Sequence, residues 1–138
     1  MKGPYSLRRL LWAGPLATLA ALAANSIYFI ITKAFGEQYR IPLDTTGAHV
    51  SPMPPLMFIL PTGLAGLAAS VFFGLLIRFS RLPGVVFLSV AIAAFILSLG
   101  GPSSLPNTSL KTELLLSGMN LLTALLLTGG ILLLSHRR

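Results

Sequence analysis

Three side chains able to hydrogen-bond sit deep in stretches that are otherwise apolar: Asn25, Thr62 and Asn120. Counted at about 1.5 Å per helical residue, each lies roughly 10 Å below the same end of its stretch. Amides and hydroxyls at one level can clamp helices together through interhelical hydrogen bonds, worth about 0.6 kcal/mol each. They can also line a small polar pocket opening outward and capped by the long loop over 33–54, with Ser26, Tyr28 and Ser117 close by in the chain. General acid–base work is beyond them, because none titrates near neutral pH.

No ionisable residue supplies the missing chemistry. The apolar runs hold no Asp, Glu, Lys, Arg or His, whereas proton relays, voltage sensors and ion-coupled carriers place such groups inside the membrane. His49 and His136 lie outside the runs, so the histidine that would normally hold an intramembrane haem is missing. His49 with Asp44 and Glu37 fits no metal-ligand spacing. A nucleophile elbow, a phosphate-binding loop, a His-Glu-x-x-His helix and a dinucleotide fingerprint are all absent. There is no cysteine, which excludes disulfides and thiolate metal sites. No catalytic residue, metal site or cofactor is therefore expected.

The elements that must position the polar residues are set by where charge is missing. Of 138 residues, 54% are hydrophobic and 9% charged, against roughly 25% charged in soluble domains. A water-soluble globule could not cover itself with so few polar groups. Arg9 and Lys33 bracket 23 uncharged residues, about 35 Å of helix and enough to cross a hydrocarbon core of about 30 Å. A basic start and an Ala21-Leu22-Ala23 pattern resemble a signal peptide. The apolar run continues through Ile31, however, so a retained span is expected. Further runs give spans over 10–32, 55–77, 82–99 and 114–135, with outer loops 33–54 and 100–113. Pro55 opens the second, Gly100-Gly101-Pro102 reads as a stop for the third, and Ser109 is placed to cap the fourth. The first outer loop, rich in proline at 52, 54 and 55, is expected to approach the membrane extended. The short turn from Arg78 to Gly84 makes spans two and three antiparallel neighbours.

Charge orients the bundle. Lys2, Arg8, Arg9, Arg78, Arg81, Arg137 and Arg138 fall at one end without an acid. Lys33, Arg40 and Lys111 share the other end with Glu37, Asp44 and Glu113. Seven basic residues against three predict cytoplasmic termini. The net charge of +7 serves headgroups and orientation rather than nucleic acid, since no basic stripe exists.

Two small-residue stripes run along the spans: Thr62, Gly66, Ser70 and Gly74 on the second, and Ala13, Ala17 and Ala21 leading to Asn25 on the first. Small residues every fourth position let helix backbones approach closely, either inside the bundle or between copies.

The segment Leu10-Leu11-Trp12-Ala13-Gly14-Pro15-Leu16-Ala17, the Asn25 and Tyr28-Phe29-Ile30 region, Gly100-Gly101-Pro102-Ser103-Ser104-Leu105 and Met119-Asn120 resemble a bacterial family of small four-helix membrane proteins of unknown function. The likeness covers nearly the whole chain and implies fold and location without an activity. In that family histidine commonly follows the methionine of the fourth span. Asn120 stands there in this chain, so no imidazole role carries over.

The expectation is an all-α, four-helix antiparallel bundle integral to a bacterial cytoplasmic membrane. Its leading role is a non-enzymatic scaffold or accessory subunit, packed against itself or a larger membrane complex. The alternative is a transporter or channel subunit, or a binder of a small polar or lipidic ligand, using the polar layer.

Overall fold

Each uncharged run folds as a helix. The computed structural model describes residues 4–42, 44–104 and 106–136, so Lys2, Leu105, Arg137 and Arg138 lie outside the described residues. The elements are α1 (Leu7–Ala34), β1 (Arg40–Pro42), β2 (Val50–Pro52), α2 (Leu56–Phe79), α3 (Pro83–Ser103) and α4 (Leu110–Ser135). All four helices are long and apolar enough to cross a membrane, and among the described residues the fold is all-α apart from one two-stranded hairpin. The first and last described segments lie side by side. The Ser6 N–H donates to the Ser135 carbonyl at 3.0 Å, and the Arg9 guanidinium donates to the His136 carbonyl at 2.6 Å.

The helices are unequally packed. Helix α1 is central, pressed against α4 on one side and α2 on the other, and α3 leans on α4. Consecutive α2 and α3 are antiparallel, as their short turn requires, yet share little surface. They meet beside that turn, where Phe87 lies 4.7 Å from Phe73 and 6.3 Å from Phe72 between ring centres. Beyond it they enclose a cleft with α4.

Helix ends follow local chemistry, with one departure. The Ser109 hydroxyl accepts from the Thr112 N–H at 3.2 Å and caps α4, leaving Glu113 in the first turn where the helix dipole favours an acid. Pro83 opens α3, its missing N–H costing nothing there. The expected stop at Leu99 does not occur, and α3 runs on through Gly100, Gly101 and Pro102. Pro102 offers no N–H to the carbonyl four residues back, that of Ser98. The Asn120 Nδ2 of α4 fills the vacancy at 3.2 Å.

The first outer loop also departs from expectation. Instead of an extended approach it forms a hairpin, with Arg40 opposite Pro52, Ile41 opposite Ser51 and Pro42 opposite Val50. The Asp44 carboxylate accepts from the Ala48 N–H at 3.1 Å, and Gly47 takes φ +69°, a conformation glycine adopts without cost. Burial drives the hairpin down: Tyr39, Ile41 and Met53 pack with Phe29, Phe58 and Met119. Both prolines sit on strands with a free edge, where a missing donor is tolerated.

Candidate functional site: a polar-ended cleft between three helices

The site begins with the seams that place it. Between α1 and α2, side chains fill the space over glycine. A Cβ on Gly66 would lie 2.6 Å from Thr18 Cγ2, and one on Gly14 would lie 2.9 Å from Ser70 Cβ. Thr18 and Ser70 each turn their hydroxyl back to a carbonyl of their own helix, at 2.9 and 2.7 Å, and the hydroxyl and carbon atoms of each side chain together lie over the facing glycine. Between α1 and α4, a Cβ on Gly130 would lie 2.8 Å from Ala17 Cβ, and one on Gly118 would lie 3.1 Å from Tyr28 Cζ. Lipid tails are as apolar as leucine, so such seams are held by close dispersion contact rather than by water exclusion.

The small-residue stripes thus lie inside the bundle. Thr62 and Gly66 are buried, Ser70 and Gly74 half-buried, and the α2 stripe faces Leu10, Gly14 and Thr18 of α1. Ala13, Ala17 and Ala21 are all buried as well, with Ala17 turned to α4.

At the seam's outer end lies the polar group. Asn25 is 1% exposed, and its Nδ2 donates to Thr62 Oγ1 at 3.1 Å and to Thr123 Oγ1 at 2.8 Å. One amide therefore ties α1 to both neighbours, while its Oδ1 is buried without a partner among the described residues. Of the expected layer, Asn25 and Thr62 meet. Asn120 instead serves Ser98 of α3, Tyr28 packs over Gly118, and Ser117 is half-buried away from the Asn25 bonds. Thr123 was missed. Its signal was present: it lies one helical turn from Asn120, in a run otherwise dominated by leucine.

The layer does not open outward. Above it stands the aromatic plug, with Phe29 centred 5.0 Å from Tyr39 and 5.2 Å from Phe58. Tyr39 and Thr32 share a 2.6 Å hydroxyl–hydroxyl bond. Burial pushes the Tyr39 phenol above its usual pKa, and the bond to Thr32 pulls it partly back. Farther out, Lys111 pairs with Glu37, and Asn107 donates to the Gly47 carbonyl at 3.3 Å.

What the layer does border is a cleft of about 500 Å³ between α2, α3 and α4. Alanines 65, 68, 69, 91, 94 and 124 form its walls; Thr62, Ser98, Asn120 and Thr123 close its outer end, Phe72 and Phe87 its inner end, and Thr128 adds one hydroxyl further in. Ala65, Ala68, Val90 and Ala94 remain exposed, so it opens sideways between α2 and α3. A wider groove of about 980 Å³ lies over the α1–α2 seam, but its hydroxyls, Thr18 and Ser70, are already spent on their own backbone. Among the described residues no three His, Cys, Asp or Glu side chains cluster to hold a metal ion. The cleft can bind an apolar body and hydrogen-bond one small polar group.

The model of DUF6069, described as a family of unknown function, matches residues 5–136. No curated protein and no solved structure matches the chain.

Proposed function

The chain belongs to this family of unknown function, and we propose that it is a non-enzymatic, multi-pass membrane protein that binds a lipidic molecule carrying a small polar group. The observation behind this reading is the cleft: about 500 Å³, within the roughly 300–1,000 Å³ of small-molecule sites, with four of its five polar side chains gathered at one end and open towards hydrocarbon. A scaffold role drew on the small-residue stripes as a face for other copies, and those stripes are occupied within the bundle. One observation still favours an accessory subunit. Only Pro83, Phe87 and Pro102 of α3 are buried, which leaves a long apolar face for another membrane protein.

The proposed location is the cytoplasmic membrane of a bacterium, with both termini inside. Arg8, Arg9, Arg78 and Arg81 gather at the terminal end, without Asp or Glu in the sequence there. The chain has no cysteine, so single labels are clean. Ser80→Cys should resist an impermeant thiol reagent in intact cells and Thr46→Cys should react; the reverse pattern inverts the topology. For binding, native mass spectrometry of protein extracted in mild detergent should show an adduct in the lipid mass range. Ala94→Phe, which fills the cleft, should remove it. Equal adducts on both proteins would place the bound molecules elsewhere and end the binding reading.

A further inference from the structure

Where each proton goes at the outer end of the cleft defines what fits there. Thr123 donates its hydroxyl proton to the Met119 carbonyl at 3.0 Å, so towards Asn25 it can only accept. That requirement turns the Nδ2 side of the Asn25 amide towards Thr123, and the same nitrogen spends its other hydrogen on Thr62 at 3.1 Å. Thr62 Oγ1 is then an acceptor towards Asn25, and its own proton has no acceptor among the described residues. Thr62 is 5% exposed and lines the cleft. A hydroxyl donor buried this deeply is costly to leave unpaired. Across the cleft, Asn120 gives one N–H to Ser98 and keeps a second N–H and its carbonyl oxygen.

We infer, resting on the binding reading above, that the ligand is an uncharged, chain-like lipid whose head presents a carbonyl or hydroxyl oxygen to Thr62 and Asn120, and that it enters sideways between α2 and α3. The head is uncharged because no ionisable side chain lines the cleft, and an isolated charge in that setting would find no partner. The body is a single chain because of volume. At about 30 Å³ for each water-sized group, the cleft holds about 17 such groups, whereas one helix with its side chains is about 10 Å across and far too large. Sideways access follows from the polar side chains of Thr62, Ser98, Asn120 and Thr123 that close the outer end and the exposed alanines at the α2–α3 gap.

The test uses the full chain in phosphatidylcholine nanodiscs and a long-chain methyl ketone bearing a mid-chain diazirine. Photolabelling should fall on peptides containing Ala65, Ala94 or Ala124. Unlabelled ketone and the matching alcohol should compete, and the matching alkyl phosphate and alkylamine should not. Thr62→Val should raise the half-saturating concentration about five- to tenfold, the loss of about one hydrogen bond, with Thr62→Ser close to the parent. Asn120→Leu provides a second variant, with thermal melting to show that the bundle persists and the α2–α3 distance to separate a lost hydrogen bond from a widened cleft. Labelling in the cleft that the phosphate competes equally well, or that neither variant weakens, overturns the inference and leaves the broader reading standing. Labelling that avoids the cleft altogether overturns both.

Discussion

The two sides of α2 are lined by the same kinds of residue and behave in opposite ways. Towards α1, Gly66 meets Thr18 so closely that an added Cβ would overlap it. Towards α3, Ala65 and Ala68 look onto a cleft of about 500 Å³. Small residues therefore permit close approach without causing it. Contact forms where the facing helix supplies a side chain of matching size, as Thr18 and Ser70 do over glycine. Where alanine faces alanine, as with Ala65 and Ala68 opposite Ala91 and Ala94, two short side chains cannot bridge helices already held apart by the phenylalanines at the inner end.

The largest predicted effect breaks this contrast if it is wrong. Gly66→Leu should lower stability by about 3 kcal/mol, at the upper end of overpacking costs, because its side chain has nowhere to go but through Thr18. Ala94→Leu adds a similar bulk across α2 and should change stability by less than about 0.5 kcal/mol. Thermal unfolding in mild detergent, followed by circular dichroism, measures both. Equal melting temperatures for the two variants would mean that seam and cleft are packed alike.

Asn25 stands where the regions join, and its removal should have a middling effect. Asn25→Leu gives up the bonds to Thr62 and Thr123 at about 0.6 kcal/mol each. It also removes the unpartnered Oδ1, which offsets part of the loss. The expected net cost is about 1 kcal/mol by the same melting assay. A cost near that of Gly66→Leu would make the amide, rather than dispersion, the main bond between α1 and its neighbours.

How far these features were legible in the sequence depends on the kind of information each needed. The four helices follow from runs of uncharged residues, since length and hydropathy are properties of one segment. The α4 cap followed from Ser109 for the same reason. The meeting of Asn25 and Thr62 was legible from depth, because antiparallel helices of similar length bring equal depths together. The separate use of Asn120 was not, since it depends on Pro102 freeing the Ser98 carbonyl on another helix. Within its own segment the same proline is a stop signal, and only a partner helix that supplies the missing donor lets α3 run past it. The hairpin escaped notice because its apolar residues, Tyr39, Ile41 and Met53, are scattered among prolines and gain their meaning only from the aromatic cluster below. The cleft was least legible, because an unfilled volume is a property of three helices at once.

The smallest effect sharpens the comparison from the open side. The Asn120–Ser98 bond is, among the described residues, the one side-chain hydrogen bond between α3 and another helix. Asn120→Leu removes it, leaving the Ser98 carbonyl half-buried with neither Pro102 nor Asn120 as donor. A solvated or lipid-facing rearrangement is open to that carbonyl because α3 is so exposed, so the stability cost should be no more than about 0.6 kcal/mol. Position should respond more than stability does. Spin labels at Leu67→Cys on α2 and Leu97→Cys on α3, both exposed sites at 63% and 79%, should report a broader distance distribution in the Asn120→Leu background. The same substitution should leave the distance between labels at Leu19 and Leu67, across the α1–α2 seam, as narrow as in the parent. A broadened seam would mean that α3 braces the whole bundle. An unchanged α2–α3 distance would mean that packing on α4, without the amide, is enough to hold the cleft in shape.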